Sequence, residues 1–402
     1  QKSIDAARHD KPAIARLADR IATKFIVAIL LIACATALLW WQIDASKAFW
    51  VALSVLVISC PCALSLATPA SLANAASLLR RNAVIVNGEN ALESLSKLDV
   101  AVFDKTGTLT SGEFSLQSVV CLSERYDETT VRSLAASLQR HSNHPLASAF
   151  DAYVHNAEVQ SVRYVVGEGL EGTYKNRRIR LGSWQFCQEI APGLSAPPED
   201  AKYWIALCED QQALAWIGLT DKVHEEAAAV LEGLRGKGIS TELLTGDASA
   251  RGTQLGTFLN FDRISTGLSP QDKLLRVASL QDAGATVLMV GDGLNDAPVL
   301  KRADVSVAVA GATDLARAQA DFVLMQGNLE QISLLLGVAK RTRSIIIQNF
   351  AWALGYNALG IPLAVLGLVP PWAAAIGMSC SSLIVVGNAL RLARTGGSAG
   401  HG

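Results

Sequence analysis

Apolar residues are gathered at the two ends of the chain and broken up in its middle. Phe25 to Ile43 carries no charge, and neither does Ala48 to Leu79. Ile345 to Leu390 is also uncharged, interrupted by the turn-like Gly367-Leu368-Val369-Pro370-Pro371. A helix crosses the hydrocarbon core of a bilayer with about 20 mostly apolar residues. The pattern therefore predicts four spans, at 24–43, 47–72, 345–367 and 371–390. Basic residues flank them on one side: Lys11, Arg16, Arg20 and Lys24, then Arg80 and Arg81, Lys340, Arg341 and Arg343, and finally Arg391 and Arg394. The other side has only Asp44 and Lys47, so the positive-inside bias puts both ends and region 80–344 in the cytoplasm.

That middle region alternates short apolar strands with helical patterns. Strands are predicted at Val100–Phe103, Glu242–Leu244, Val287–Val290 and Val305–Val309, and helices at His224–Leu234 and Lys273–Gln281. The alternation predicts a doubly wound α/β sheet. Residues about 114–217 interrupt it with Trp- and Gly-containing segments and read as an inserted second domain. The organisation expected is two spans with a lead-in over 1–79, the α/β domain over 80–113 and 218–344, the insert over 114–217, two further spans over 345–394, and a frayed tail from 395 to 402.

Composition agrees with this division. Of 402 residues, 50% are hydrophobic and only 18% charged, with a mean hydropathy of +0.28, too apolar for a purely soluble enzyme. The balance of 35 basic against 36 acidic residues does not suggest a nucleic-acid binder. Seven cysteines are too few for a disulfide scaffold.

Candidate chemistry sits at the strand ends. Asp104-Lys105-Thr106-Gly107-Thr108-Leu109-Thr110 follows the first strand, where a ligand of an open α/β sheet binds. A carboxylate there can act as a nucleophile and form an acyl phosphate. An Asp in such a place could equally just cap a turn. However, Thr245-Gly246-Asp247 ends a second strand, Lys273 lies downstream, and Gly291-Asp292-Gly293-Leu294-Asn295-Asp296 ends a third. Together they supply a nucleophile, carboxylates for Mg²⁺, a hydroxyl and a lysine for phosphate oxygens, and Gly turns. Gly167-Glu168-Gly169-Leu170-Glu171-Gly172 has dinucleotide spacing, but it lies inside the insert and runs on into Thr173-Tyr174-Lys175, so that reading is rejected.

The second span contains Ser59-Cys60-Pro61-Cys62. Proline removes a backbone hydrogen bond and is expected to free the Val57 carbonyl, while two thiols beside the break make a soft ligand pair for Cu(I) or Zn(II). Cys34, Cys121, Cys187 and Cys208 read as packing residues. Tyr356-Asn357 and Met378-Ser379-Cys380-Ser381-Ser382 put polar and thioether groups in the last two spans.

Asp104 to Thr110, Thr245-Gly246-Asp247 and Gly291 to Asp296 resemble the phosphorylation motifs of the P-type ATPases, on a haloacid-dehalogenase-like fold. The resemblance implies a membrane helical bundle joined to an α/β phosphorylation domain, with the insert as an α+β nucleotide-binding domain. It implies that Asp104 accepts the γ-phosphate of ATP. Mg²⁺ would be held by Asp104, the Thr106 carbonyl, Asp292 and Asp296, with Thr245 and Lys273 on the phosphate. Lys105, Gly246, Asp247 and Asn295 complete the catalytic motifs. In related phosphatases the second residue after the nucleophile is an acid; Thr106 fits a longer-lived phosphoenzyme.

Ser142-Asn143-His144-Pro145-Leu146 resembles the Ser-Glu-His-Pro segment of the heavy-metal branch, which implies that His144, Gly167 and Gly169 bind the nucleotide; Asn143 departs from the usual Glu. Cys-Pro-Cys with Tyr-Asn and Met-x-x-Ser-Ser resembles the Cu(I)-transporting subgroup, implying a pathway of Cys60, Cys62, Tyr356, Asn357, Met378 and Ser382, with Cys380 an extra thiol. Zn/Cd exporters usually place charges in the last spans, and none occurs here. Arg80-Arg81 and Ser381 to Leu392 look like exporters that feed copper to cytochrome oxidase assembly. The cargo would come from a copper chaperone or an N-terminal metal-binding domain, in a bacterial inner membrane. No Thr-Gly-Glu loop of an actuator domain occurs, and the chain begins at Gln1, so a C-terminal portion of a longer pump is expected. The alternatives are a Zn/Cd exporter, a membrane-anchored phosphatase that moves no ion, and a regulatory relic without turnover.

Overall fold

A computed structural model describes residues 13–393 except 89, 143, 155–156, 199–201, 248–249 and 294–296, and leaves the side chains of 13–24 and of Pro145 undescribed. The expected tail at 395–402 lies outside the described residues.

Three helices come first: α1 (Ala13–Ile43), α2 (Ala45–Ile58) and α3 (Cys62–Arg81). β1 (Val84–Val86) and α4 (Ala91–Leu95) lead into β2 (Val100–Asp104). The next stretch holds β3 (Thr110–Cys121), α5 (Glu128–Gln139), β4 (Gln160–Val165), β5 (Gly169–Tyr174) and β6 (Arg177–Gly182). It continues through α6 (Trp184–Gln188), β7 (Tyr203–Glu209) and β8 (Gln212–Val223). Alternation then resumes with α7 (Ala227–Arg235), β9 (Ser240–Leu244), α8 (Ala250–Phe258), β10 (Arg263–Ser265) and α9 (Pro270–Asp282). β11 (Val287–Gly291), α10 (Ala297–Arg302), β12 (Val305–Ala308), α11 (Asp314–Gln319) and β13 (Phe322–Leu324) follow. Two long helices end the chain, α12 (Glu330–Val365) and α13 (Pro371–Leu390). Each of the four strands and both helices expected in the α/β region has a counterpart within a few residues.

The chain divides into two compact units, one of Gln1–Val102, Glu232–Ser240 and Leu274–Gly402, the other of Phe103–Leu231 and Thr241–Lys273. In the first, β11, β12 and β13 run parallel and β1 closes the edge antiparallel, with Val84 opposite Leu324. Leu288, Met289, Val290, Val307 and Phe322 are fully buried there, as expected for parallel strands covered on both faces. In the second unit β9 and β10 run parallel, with Leu243 opposite Ile264.

The helices of the first unit meet through small residues. Ala63 and Ala67 of α3 pack with Ala353 of α12 and Val385 of α13, and Ala33, Val55, Ile58, Ala364 and Ala374 form a second cluster. Small residues let backbones approach where no hydrophobic drive separates lipid from protein. Gly360 is one such position: a Cβ there would lie 2.7 Å from the Ile58 Cδ1.

Three stretches are long and apolar enough to cross a membrane among the described residues: Phe25–Ile43, Ala45–Arg81 and Pro371–Leu390. The third expected span is instead the C-terminal part of α12, where Gln348, Asn349, Tyr356 and Asn357 dilute the apolar run. The second span is broken between Ile58 and Cys62 as Pro61 requires, but the Val57 carbonyl is not left free. It accepts the Cys60 N–H at 3.4 Å, because the chain leaves the helix in a tight turn before the proline.

In the second unit, β3-β8-β7-β6-β5-β4 form an antiparallel sheet. α5 covers one face, burying Leu134 and Leu138 against Leu170, Ile179, Leu181 and Leu207. α6 covers the other, where Cys187, Cys208 and Trp216 are buried, so these two cysteines do pack. The Gly167–Gly172 segment runs into β5, paired antiparallel on both sides. No helix follows it, which bears out the rejection of a dinucleotide fold.

Candidate functional site

β2 delivers Asp104 to the carboxyl end of the sheet, after the buried Ala101, Val102 and Phe103. The chain then makes a wide turn over Lys105–Leu109, with Gly107 at φ 66°, where a side chain would be strained. Asp104 is buried, and both of its carboxylate oxygens accept hydrogen bonds. Lys273 Nζ donates to Oδ1 at 2.6 Å, and the Thr106 N–H donates to Oδ2 at 3.1 Å. Asp104 thus caps its own turn with one carboxylate oxygen and holds the Lys273 ammonium with the other. Lys273, itself buried, comes from α9, 169 residues away along the chain.

Lys105 lies beside this site, only 2% exposed, with its ammonium between Asp247 Oδ2 at 2.8 Å and Asp221 Oδ2 at 3.1 Å. Burial alone would lower its pKa, but the Asp247 hydrogen bond and the Asp221 charge outweigh it and raise the value. Asp247 also accepts from Arg251 Nε at 3.3 Å, and the Arg251 guanidinium lies 3.6 Å above the Tyr203 ring. Thr245 is buried, and its hydroxyl accepts the Asp247 N–H at 3.1 Å, leaving the O–H proton available to an incoming oxygen. Gly246 connects the two. Sequence reasoning missed Asp221, Tyr203 and Arg251. An Asp at the end of a strand was the only signal, and nothing local distinguishes it from a turn residue.

Asp292 follows β11 in the other unit, where its carbonyl accepts the Thr313 N–H at 3.2 Å. Gly293 beside it has φ 69°, and a Cβ there would collide with Ala316. Asn295 and Asp296 lie outside the described residues. Among the described residues no three His, Cys, Asp or Glu side chains gather into a metal cluster. The donors expected for Mg²⁺ are nevertheless of the right kind: the buried Asp104 carboxylate, the Thr106 carbonyl and the Asp292 carboxylate are all oxygen ligands, which a hard cation prefers.

Within the second unit, His144, Gly167 and Gly169 line one cavity of about 280 Å³ with Gln139, Tyr164, Leu170, Gly182, Ser183, Trp204 and others. His144 Nδ1 accepts the Leu146 N–H at 3.3 Å and so caps the short turn that follows it. A Cβ on Gly169 would strike the Leu181 carbonyl, and one on Gly182 would strike the Glu168 carbonyl. These glycines are what allow the two backbones to meet behind the cavity. Gln139 was missed as well. It is 7% exposed, and among the described residues its buried Oε1 has no hydrogen-bond partner. An unpaired buried acceptor is costly, and no sequence motif announces it.

The first unit contains the membrane residues. Cys60, Tyr356, Asn357, Met378 and Ser382 surround a cavity of about 10 Å³ with Ala63, Ala353 and Ser381. Asn357 is buried and its Oδ1 lacks a partner among the described residues. A Cβ on Gly377 would lie 2.5 Å from the Tyr356 hydroxyl, so glycine lets the phenol reach α13. Cys62 does not line the cavity; its sulfur is bonded to that of Cys60. A disulfide uses both sulfurs, so the pair can act as metal ligands only when reduced. Cys380 is exposed and outside the cavity lining.

With this geometry established, the comparisons with known proteins define the class. Residues 98–304 match the haloacid dehalogenase-like hydrolase family, and the chain belongs to it. A copper-exporting P-type ATPase of Mycobacterium tuberculosis (strain ATCC 25618 / H37Rv) is 35% identical over 402 residues, covering 98% of this chain and 53% of that protein. The nitrogen fixation protein FixI of Rhizobium leguminosarum bv. viciae is 37% identical over 396 residues, covering 97% and 51%. The crystal structure of a zinc-transporting PIB-type ATPase in its E2.Pi state superimposes with a TM-score of 0.83 at 28% identity, over 98% of this chain and 66% of that one. The chain is thus a haloacid dehalogenase-like hydrolase that is similar along nearly its whole length to heavy-metal P-type ATPases. It spans about half the length of the curated relatives it matches.

Proposed function

We propose that the chain carries the catalytic and cargo-binding residues for ATP-driven export of Cu(I), with Asp104 phosphorylated in each cycle. The observation that carries the reading is the buried Asp104 carboxylate, with Lys273 Nζ 2.6 Å from one oxygen and the Thr106 N–H 3.1 Å from the other. Phosphoryl transfer is mostly a matter of positioning and charge stabilisation. The Thr106 N–H fixes one oxygen of Asp104 in the turn, and the other attacks the γ-phosphorus of ATP in line with the departing ADP. An acyl phosphate forms as the bond to the ADP oxygen breaks. Lys273 then moves its hydrogen bond from the carboxylate to a phosphoryl oxygen, and the Thr245 hydroxyl donates a second. Bound Mg²⁺, held by Asp104, the Thr106 carbonyl, Asp292 and Asp296, would neutralise charge on the phosphates. Lys105 stays charged and holds Asp247 and Asp221 beside the loop.

ATP would enter the cavity of His144, Gly167 and Gly169, which supports 114–217 as a nucleotide-binding domain within a phosphorylation domain of 80–113 and 218–344. Copper as cargo rests on the donor set. Reduced Cys60 and Cys62, the Met378 thioether, Tyr356, Asn357 and Ser382 are soft or neutral groups suited to Cu(I). The names of the curated relatives support copper; the zinc-transporting structural neighbour supports Zn(II) as the second reading. The proposed setting is a bacterial inner membrane with the catalytic region in the cytoplasm, supplied by a copper chaperone or an N-terminal metal-binding domain. An actuator domain would complete the cycle.

Labelled ATP tests the reading. Cu(I)-stimulated, acid-stable label on the protein, absent from Asp104→Asn, is expected. Label that answers only to Zn(II) would overturn the metal, and label retained in the variant would overturn the nucleophile.

A further inference from the structure

The cavity beside Cys60 draws Tyr356 and Asn357 from α12 and Met378, Ser381 and Ser382 from α13. It keeps that lining only while the two helices hold one register. Apolar contact does little to fix it. Ala353 of α12 meets Val385 of α13, but lipid tails are as apolar as such side chains, so helices in a bilayer are matched by close packing and hydrogen bonds.

Those hydrogen bonds lie on one side of the cavity, toward Arg391. Trp352 Nε1 donates to Ser381 Oγ at 3.1 Å. Further along, Asn349 Nδ2 donates to the Val385 carbonyl at 3.3 Å, and Asn388 Nδ2 donates to Asn349 Oδ1 at 2.9 Å. Asn388 Nδ2 also reaches Gln348 Oε1 at 3.3 Å, while Asn388 Oδ1 accepts from Arg391 at 3.0 Å. Asn349 is 2% exposed, and it serves as donor and acceptor at once. On the other side of the cavity, from Ala358 to Val365 and from Pro371 to Gly377, no hydrogen bond joins α12 to α13 among the described residues.

Helical geometry carries this ladder to the cavity. Asn349 stands seven residues before Tyr356 and Val385 seven after Met378, about two turns in each helix, so each pair shares a face. A slip of one helix by a turn would leave the Asn349 amide buried without either bond, which is costly. It would also carry Met378 and Ser382 past Tyr356 and Asn357. A leucine pair in the same place would pack in several registers, whereas a buried polar pair accepts one.

We infer that Asn349, paired with Asn388, is a positioning residue that sets the register of α12 against α13 and so places the Met378 thioether opposite Tyr356 and Asn357. The inference rests on the proposal that this cavity holds the transported metal. Asn349 itself lies outside the cavity wall.

Equilibrium binding of Cu(I) to the full chain tests it, with thiols reduced, in lipid nanodiscs, by competition against a chromophoric Cu(I) chelator. Binding that is lost in Cys60→Ser defines the cavity site. Met378→Leu is expected to weaken that site about tenfold for the loss of a soft ligand. Asn349→Leu and Asn388→Leu are each expected to weaken it about fivefold, although neither removes a ligand. The decisive measurement is the combination. If Asn349 acts by placing Met378, the double variant Asn349→Leu/Met378→Leu binds within about twofold of Met378→Leu alone, because a thioether already out of place cannot be lost again. Effects that multiply would mark Asn349 as merely structural and overturn the inference, as would an unchanged affinity in Asn349→Leu. Should that variant fail to fold, Asn388→Leu alone and with Met378→Leu is read by the same criteria. If Cys60→Ser or Met378→Leu leaves Cu(I) binding unchanged, the cavity reading itself fails; if both weaken it and the asparagine variant does not, only the positioning role fails.

Discussion

The Asp104 site and the cavity beside Cys60 are built from opposite materials. Around Asp104 the chain buries full charges and pairs each of them: Lys273 with Asp104, and Lys105 with Asp247 and Asp221. Around Cys60 and Met378 it uses neutral groups and leaves at least one, the Asn357 carbonyl oxygen, without a protein partner among the described residues. Under the proposed function, the difference follows from what each site would bind. Pairing buried charges holds oxygen atoms in place for a multiply charged phosphate, and removing one partner strands the other. A cation leaving through a membrane needs donors that are already desolvated and do not bind it too tightly, which neutral groups provide. Breaking a pair in the first site is therefore costly, while the unpaired acceptor in the second carries a cost that a ligand would relieve.

That contrast is open to direct attack, and Lys273→Ala should produce the largest effect. It would leave the Asp104 carboxylate buried without its ammonium, lowering stability by about 3 kcal/mol and reducing label from ATP by at least a hundredfold. Denaturant unfolding and labelling of the same preparation check both. Asn357→Leu should separate the two quantities instead. Metal-stimulated label is expected to fall at least tenfold while stability holds or rises, since the orphaned acceptor is gone and its cost is about 1–3 kcal/mol. A large loss of stability in this variant would erase the contrast.

Arg251→Ala tests the edge of the charged site. The guanidinium stacks on Tyr203 and bonds Asp247 but is only partly buried, so about 1 kcal/mol of stability and a few-fold of activity should be lost. Arg251→Lys, which keeps the charge without the planar stack, should recover less than half of the activity loss.

The smallest effect concerns acid. Burial would raise the pKa of Glu171, but hydrogen bonds from Arg180 at 2.7 Å and Arg163 at 3.0 Å outweigh it and hold the carboxyl below its usual range. A carboxylate depressed on folding adds stability above its unfolded pKa and loses it as pH falls through the folded value. Thermal midpoints measured from neutral pH downward should therefore drop below the ordinary carboxylate range, and Glu171→Gln should flatten that part of the curve.

How far these sites could be read in advance depended on how local they are. Asp104 to Thr110 is one contiguous turn after one strand, so its chemistry appears as a string. The broken second span is equally visible, because Pro61 stops a helix wherever it falls. Asp221, Arg251 and Gln139 carry no such string. Lys105 meets Asp247 across 142 residues, and only the crossing of strands puts them within hydrogen-bonding distance. Tyr356, Asn357 and Met378 were legible as unusual polar and thioether residues in apolar runs, yet sequence could not say that Cys62 would face its neighbour Cys60 and leave the cavity wall.

The sequence by itself determined the kind of chemistry, because hydrophobic length selects a membrane and a short loop after a strand fixes its own backbone conformation. The tertiary structure decided which distant groups share one site: Lys273 on Asp104, Asp221 on Lys105, and Gln139 with His144 and Gly169. Spacing along a chain sets only which residues are neighbours within a helix, strand or turn. Burial and long-range pairing arise when those elements pack, and it is packing that turns an ordinary Gln or Asp into a group that must be satisfied.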